Sequence, residues 1–195
     1  MKLYHISDTL KLGDTLQPDY RKNIHLIEPF VQALDQSMDC FYGMVLNGKY
    51  LAAVLDKYGL YGWPNYAKWA TEGAFEFIRK TEFPNSYCRM NCIYYCDNLS
   101  ACQKYYDFDW GRLPKEAQEK VHLFEVEVHD RAPQRRDMRL YDKAYKAMST
   151  SEDIPLILDY ARKYFKGAHT INPLWEILSD KPATAVADRS EYLRK

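Results

Sequence analysis

The sequence predicts an α+β fold, and three observations lead there. Short apolar strands and amphipathic helices occur without the regular strand–helix alternation of a doubly wound sheet. Neither a G-x-G-x-x-G loop nor a Walker loop is present, so the usual nucleotide cradles of parallel α/β sheets are missing. The stretch Ser86 to Asp107, SYCRMNCIYYCDNLSACQKYYD, reads as a strand that runs directly into a helix.

Residues Lys2 to Ser7 are expected as the first strand, and Gly13-Asp14 marks a turn after it. Arg21 to Gln36 has a helical pattern interrupted by Pro29. Leu51, Val54, Leu55 and Tyr58 repeat at helical spacing, with Gly59 as the stop and Gly62-Trp63-Pro64 as a loop. Trp69, Ala70, Ala74, Phe77 and Ile78 make one apolar stripe, which predicts a helix from about Tyr66 to Lys80. Phe83-Pro84-Asn85 ends it.

In the central stretch, Arg89 to Tyr95 is expected as strand and Leu99 to Tyr106 as helix, with Asp97 at the N-cap. Trp110 to Lys120 is polar and mixed. Phe124, Val126 and Val128 alternate with Glu125 and Glu127, a half-buried strand. Glu125, Glu127 and His129 then share a face, expected to be the solvent side of an edge strand. Ala132 to Arg139 reads as an irregular basic loop. Ser149 with Glu152 fits a capping box for a helix carrying Ile157, Tyr160, Ala161, Tyr164 and Phe165, ending near Gly167. Leu174 to Leu178 and Ala183 to Ala187 are the last strands, joined by the turn Ser179 to Pro182.

Composition narrows the function classes. The 195 residues favour one domain, 1–195, with a single core. Lys plus Arg and Asp plus Glu number 27 each, so the basic excess of a phosphate-neutralising nucleic-acid binder is absent. A local patch at Arg131, Arg135, Arg136 and Arg139 reads as a solvated loop. The N-terminus lacks an apolar signal core, and no apolar run approaches the roughly 20 residues that span a bilayer. A cytoplasmic protein without a membrane partner is expected. The 5 cysteines suit reduced thiols better than a disulfide framework. Cys88, Cys92 and Cys96 have a C-x3-C-x3-C spacing, but four strand residues span roughly 13 Å, too far to share one metal whose thiolates lie about 2.3 Å away. No metal site is expected.

Three residues carry the functional reading. His5 lies on the first strand, Tyr94 on the strand that enters the helix, and Glu176 within the apolar run Pro173-Leu-Trp-Glu-Ile-Leu178. An unpaired carboxylate there must face solvent, a cleft or a partner, because burying it alone is costly.

In this order, Leu3-Tyr4-His5-Ile6-Ser7 with Leu10 to Asp14, Ile93-Tyr94-Tyr95-Cys96, and Trp175-Glu-Ile-Leu178 resemble the ADP-ribosyltransferase superfamily. The likeness is to its His-Tyr-Glu/Asp branch, which includes the rifampin ADP-ribosyltransferases and the poly(ADP-ribose) polymerases. The segment Glu72 to Arg89 also resembles an uncharacterised bacterial family known as a domain of unknown function. Together the superfamily patches cover about a fifth of the chain. The resemblance implies split antiparallel sheets around a central cleft with flanking helices, and NAD as substrate. It implies that Glu176 holds the ribose 2′-hydroxyl and stabilises the oxocarbenium-like charge, with Asp137 as a reserve acid. Tyr94 would stack on nicotinamide, His5 would bind the adenosine-side ribose, and the backbone of Ile6 would contact nicotinamide. The family usually has Gly or Thr after its His, where this chain has Ile6. The acceptor would be a protein, a nucleic acid or a small molecule, with water as the acceptor in a glycohydrolase. The alternatives are a non-catalytic module on the same fold that binds a nucleotide or a protein, and an unrelated α+β interaction protein. The sequence does not fix the oligomeric state.

Overall fold

A computed structural model of the chain describes residues 2–18, 24–57 and 66–193. The fold is α+β, and its contacts group into two compact units. One holds the strands; the other is helical.

The strand-bearing unit combines the N-terminal strands with Asn91–Arg136 and the C-terminal strands. Strand β1 (Lys2–Ser7) pairs antiparallel with β4 (His122–Val128), aligning Leu3 with Val126 and His5 with Phe124. Strand β7 (Ala183–Asp188) follows on the other side of β4, and the two-residue β2 (Thr15–Leu16) completes the order β1-β4-β7-β2. Period-two alternation explains the burial: Leu3, Phe124 and Val126 are buried, while Lys2 and Glu127 are exposed. Gly13, at φ 88, makes the turn into β2 and donates to the Ala185 carbonyl at 2.9 Å.

Glu125 departs from the expected solvent face. It is buried, with Lys2 Nζ 2.8 Å from one carboxylate oxygen and Arg189 Nη2 2.8 Å from the other. The carboxylate thus ties β1 to the end of β7 across β4.

The second sheet has the order β3-β6-β5, built from β3 (Ile93–Tyr95), β6 (Trp175–Ser179) and β5 (Gln134–Asp137). The expected strand from Arg89 is shorter, because Arg89–Asn91 form a 3-10 turn. Helix α4 (Leu99–Asp109) follows β3. Its cap is Asn98, not Asp97: the Asn98 side chain accepts from the Ala101 amide at 2.8 Å. Asp97 instead pairs with Arg135 at 2.9 Å. Cys96, Cys102, Tyr106 and Leu123 form the core under α4, with Tyr4 and Ile6 packed against it. A short α5 (Lys115–Gln118) leads to β4.

The helical unit contains α1 (Ile24–Gln36), α2 (Met38–Lys57), α3 (Tyr66–Glu82), α6 (Met138–Thr150) and α7 (Ile154–Phe165). Helix α1 continues through Pro29 rather than breaking there. Helix α2 starts at Met38, well before the expected Leu51. The expected stop at Tyr58-Gly59, the loop Gly62-Trp63-Pro64 and the helix start at Arg21 lie outside the described residues. Helix α3 is central, with Ala67, Ala70, Ala74, Phe75 and Ile78 buried, and it packs against the other four. Gly73 permits the closest approach: a Cβ built there would lie 2.5 Å from Phe30 Cβ and 3.3 Å from the Ile27 carbonyl oxygen.

Most of what reads as a basic loop, Ala132 to Arg139, is strand β5 and the start of α6, and α6 fills the stretch after it. Leu140, Tyr141, Ala144, Ala147 and Met148 line its buried face. Ser149 closes α6 and does not cap α7; Asp153 does, accepting from the Leu156 amide at 3.1 Å. Gly167, at φ 76, ends α7 as expected, with the Ala168 amide bonded to the Lys163 carbonyl at 3.0 Å.

Inside this unit, Arg89 is buried in a polar and aromatic socket. Its Nε lies 3.0 Å from Glu72, Nη1 donates to the Tyr164 hydroxyl at 2.6 Å, and the guanidinium sits 4.3 Å from the Tyr141 ring centroid. Phe75 meets the rings of Tyr141 and Tyr164 edge-on at 5.2 and 5.3 Å.

Candidate functional site

The strand-bearing unit brings β1 to β3 at one place. Tyr4 and Cys96 form an isolated antiparallel bridge, with Tyr4 N 3.0 Å from the Cys96 carbonyl and Cys96 N 2.8 Å from the Tyr4 carbonyl. The two sheets are therefore joined at the junction between the first strand and the strand that precedes α4.

The next residue on β1 is His5. Its Nδ1 lies 2.9 Å from the Tyr94 carbonyl oxygen. A carbonyl only accepts, so Nδ1 carries the hydrogen. Burial holds the ring below the ordinary imidazole range, against the opposite pull of the Tyr94 carbonyl. His5 is thus neutral at pH 7, and its Nε2 bears a lone pair able to accept from a hydroxyl.

Tyr94 pairs with Leu178 across β3 and β6. Directly paired residues share a face, and so do residues two apart on one strand. Tyr94, Leu178 and Glu176 are therefore on one face of this sheet. The diagonal between Tyr94 and Glu176 is about 7–8 Å between Cα atoms. Glu176 is 3% exposed, so the carboxylate is enclosed rather than open to solvent.

His5 is not on that face. Its ring meets Tyr95, with centroids 5.9 Å apart and the rings edge-on. Tyr95 is buried and pairs with Ile177 on the opposite side of the sheet. His5 meets Tyr94 at the backbone carbonyl.

Ile6 is half-buried and packs on the α4 core. Its backbone is paired opposite Leu123. Asp137 falls in the helical unit, fully buried. One of its oxygens caps α6 through the Arg139 amide at 3.1 Å, and the other accepts from the Thr170 amide at 2.7 Å and hydroxyl at 2.8 Å. That geometry accounts for Asp137 as a cap and a loop anchor.

The cysteines are dispersed. Cys88 is in the helical unit, where burial and the neighbouring Glu76 carboxylate push its thiol up to about 11. Cys96 is raised further: the hydrogen bond with the Cys102 thiol acts first, then burial, with the Asp97 and Glu176 carboxylates adding to it. Both remain thiols at neutral pH. Among the described residues no three His, Cys, Asp or Glu side chains converge as metal ligands, and no helix is long and apolar enough to cross a membrane.

Sequence reasoning missed one cluster beside Glu176. The Arg135 guanidinium lies 4.2 Å from the Trp175 ring centroid while pairing with Asp97. Arg135 was visible only as part of a basic run, and nothing in that run indicates an aromatic partner.

The chain belongs to the family described as Protein of unknown function (DUF2441), which matches residues 3–191. No curated protein matches it.

Proposed function

We propose that the chain is an NAD-dependent ADP-ribosyltransferase, or an NAD glycohydrolase of the same design, acting on an acceptor of unidentified class. The observation that carries the reading is the β1–β3 junction. A neutral His5, oriented by the Tyr94 carbonyl, stands beside the strand that pairs with the Glu176 strand.

The chemistry suits these groups. When the nicotinamide–ribose bond breaks, its electron pair leaves with neutral nicotinamide and positive charge develops on the ribose. A fixed carboxylate in a water-poor site stabilises that charge strongly. Glu176 would supply it, Tyr94 would stack on the departing ring, and the Nε2 lone pair of His5 would accept from a ribose hydroxyl. The split sheets around an NAD cleft belong to this same proposal.

A second reading is favoured by a specific observation: Glu176 is almost wholly buried, and His5 faces Tyr95 rather than Glu176. In that reading the same fold binds a nucleotide or a protein without turnover.

Calorimetry with NAD tests the binding half of the proposal. Saturable binding is expected, weakened about tenfold in His5→Ala by loss of one hydrogen bond. The absence of any binding heat in the folded wild-type protein would sink both NAD readings.

A further inference from the structure

We propose that a cleft between α6 and α7 in the helical unit binds a nucleoside di- or triphosphate. The proposal is independent of the NAD reading, because every wall of this cleft belongs to the helical unit. The volume is about 630 Å³, within the range of pockets that hold one small ligand, roughly 300–1,000 Å³. Its walls come from three segments: the first turns of α6, the exposed face of α7, and the loop 168–172.

The charge on those walls defines the ligand. Arg139 and Lys143 stand four residues apart on α6, hence on one face and about 6 Å apart along the axis. Both are exposed, and neither side chain has an ion-pair partner among the described residues. Lys163 adds a third cation from α7 and shares its charge with Asp159 at 2.6 Å. Asp142 is the one carboxylate on the wall. In a chain whose formal net charge is zero, this is a local cationic excess held in a concave site. Two uncompensated cations at that spacing, on long flexible arms, suit successive phosphates better than a single carboxylate.

The rest of the wall is apolar or aromatic. Tyr160 lies on α7, half-buried, with Lys163 Nζ 5.7 Å from its ring centroid. Ile171 is 99% exposed at the rim. A large aliphatic side chain held fully in water gains by being covered. A flat base laid over Tyr160 and Ile171, with its phosphates toward Arg139 and Lys143, uses both halves of the cleft. The volume of the cleft matches one such ligand.

The test is fluorescence anisotropy of N-methylanthraniloyl-ATP with the full chain. Saturable binding is expected that weakens with added salt. It should fall at least tenfold in Arg139→Glu/Lys143→Glu and several-fold in Ile171→Asp, with circular dichroism unchanged. Unlabelled ATP should displace the probe at lower concentration than pyrophosphate, and NAD affinity by calorimetry should be unchanged in the double variant. Four results would each overturn the proposal. These are no saturation by about 1 mM, an affinity indifferent to the charge reversal, displacement by pyrophosphate as good as by ATP, and displacement by an acidic peptide at lower concentration than ATP. Both variants alter only the helical unit, so a failure here is separate from a failure of the NAD reading.

Discussion

Replacing Arg89 by methionine is the sharpest test of what holds the helical unit together. The substitution keeps an unbranched chain of similar reach but removes the guanidinium. Glu72, 6% exposed, then loses the cation 3.0 Å away. The Tyr164 hydroxyl loses its 2.6 Å donor, and the Tyr141 face loses the charge stacked over it. Removing one member of a buried ion pair typically costs about 3–5 kcal/mol, mostly because the other charge is left uncompensated. For a chain of this length, that corresponds to a fall in Tm of about 6–20 °C. Urea unfolding followed by circular dichroism measures the loss. Glu72→Leu alone should also destabilise. The double variant Arg89→Met/Glu72→Leu should recover much of the loss, because an apolar pair of similar volume often does as well as a buried ion pair. A coupling energy of about 2 kcal/mol or more is expected from the cycle. Single losses below about 1 kcal/mol that simply add in the double variant would refute the claim that this pair acts as one unit.

Other perturbations probe different elements. Lys2 and Arg189 hold Glu125 below the usual carboxylate range; a lowered carboxyl pKa gives stability that is full above the unfolded value and lost as pH falls through the folded one, so Glu125→Gln should flatten the acid limb of a Tm–pH profile below about pH 4.5. Gly73→Ala forces a methyl group into the 2.5 Å space beside Phe30 and should cost about 1–3 kcal/mol in chemical denaturation, whereas a neutral or stabilising result would mean that α1 and α3 separate easily. Asp137→Ala removes the α6 cap and both bonds to Thr170, with an expected loss of about 3 kcal/mol; Asp137→Asn, which keeps an acceptor, should lose less.

Much of this architecture was legible, and the failures have physical causes. Strand β4 follows from the alternation of Phe124, Val126 and Val128 with Glu125 and Glu127, β6 from a short apolar run before a turn, and α3 from a long apolar stripe. Helix α6 was readable from Leu140, Tyr141, Ala144, Ala147 and Met148, which recur at helical spacing. The arginines made Ala132 to Arg139 read as a loop, which hid strand β5, and the stretch from Leu140 to Met148 carried no expected element. The early turns of α2 hid for a different reason. Phe41 and Val45 are buried there, but Met38, Tyr42, Leu46 and Tyr50 are exposed on the same helix, so apolar residues surround it and no single stripe stands out. Asp97 and Asn98 both suit an N-cap, and only the distant Arg135, which engages Asp97, leaves the cap to Asn98. Glu125 looked solvated because its clasp depends on Lys2 and Arg189, far away in sequence.

At the candidate site, strand order and local pattern were readable from sequence, while side-chain facing was not. The alternation that sets Tyr94 and Glu176 on one face follows from the β3–β6 register, with Tyr94 opposite Leu178. The contact between His5 and Tyr95 depends on how β1 bridges β3 at Tyr4 and Cys96. A single isolated bridge of that kind has no sequence signature.

The most direct test of the central claim is nicotinamide release from NAD by the purified protein, measured beside Glu176→Ala with circular dichroism as the check on folding. The account predicts release by the wild type and its loss in the variant at unchanged fold. Release that persists in a folded Glu176→Ala would contradict the role given to the carboxylate, and NAD binding without release from either protein would leave the chain a non-catalytic binding module.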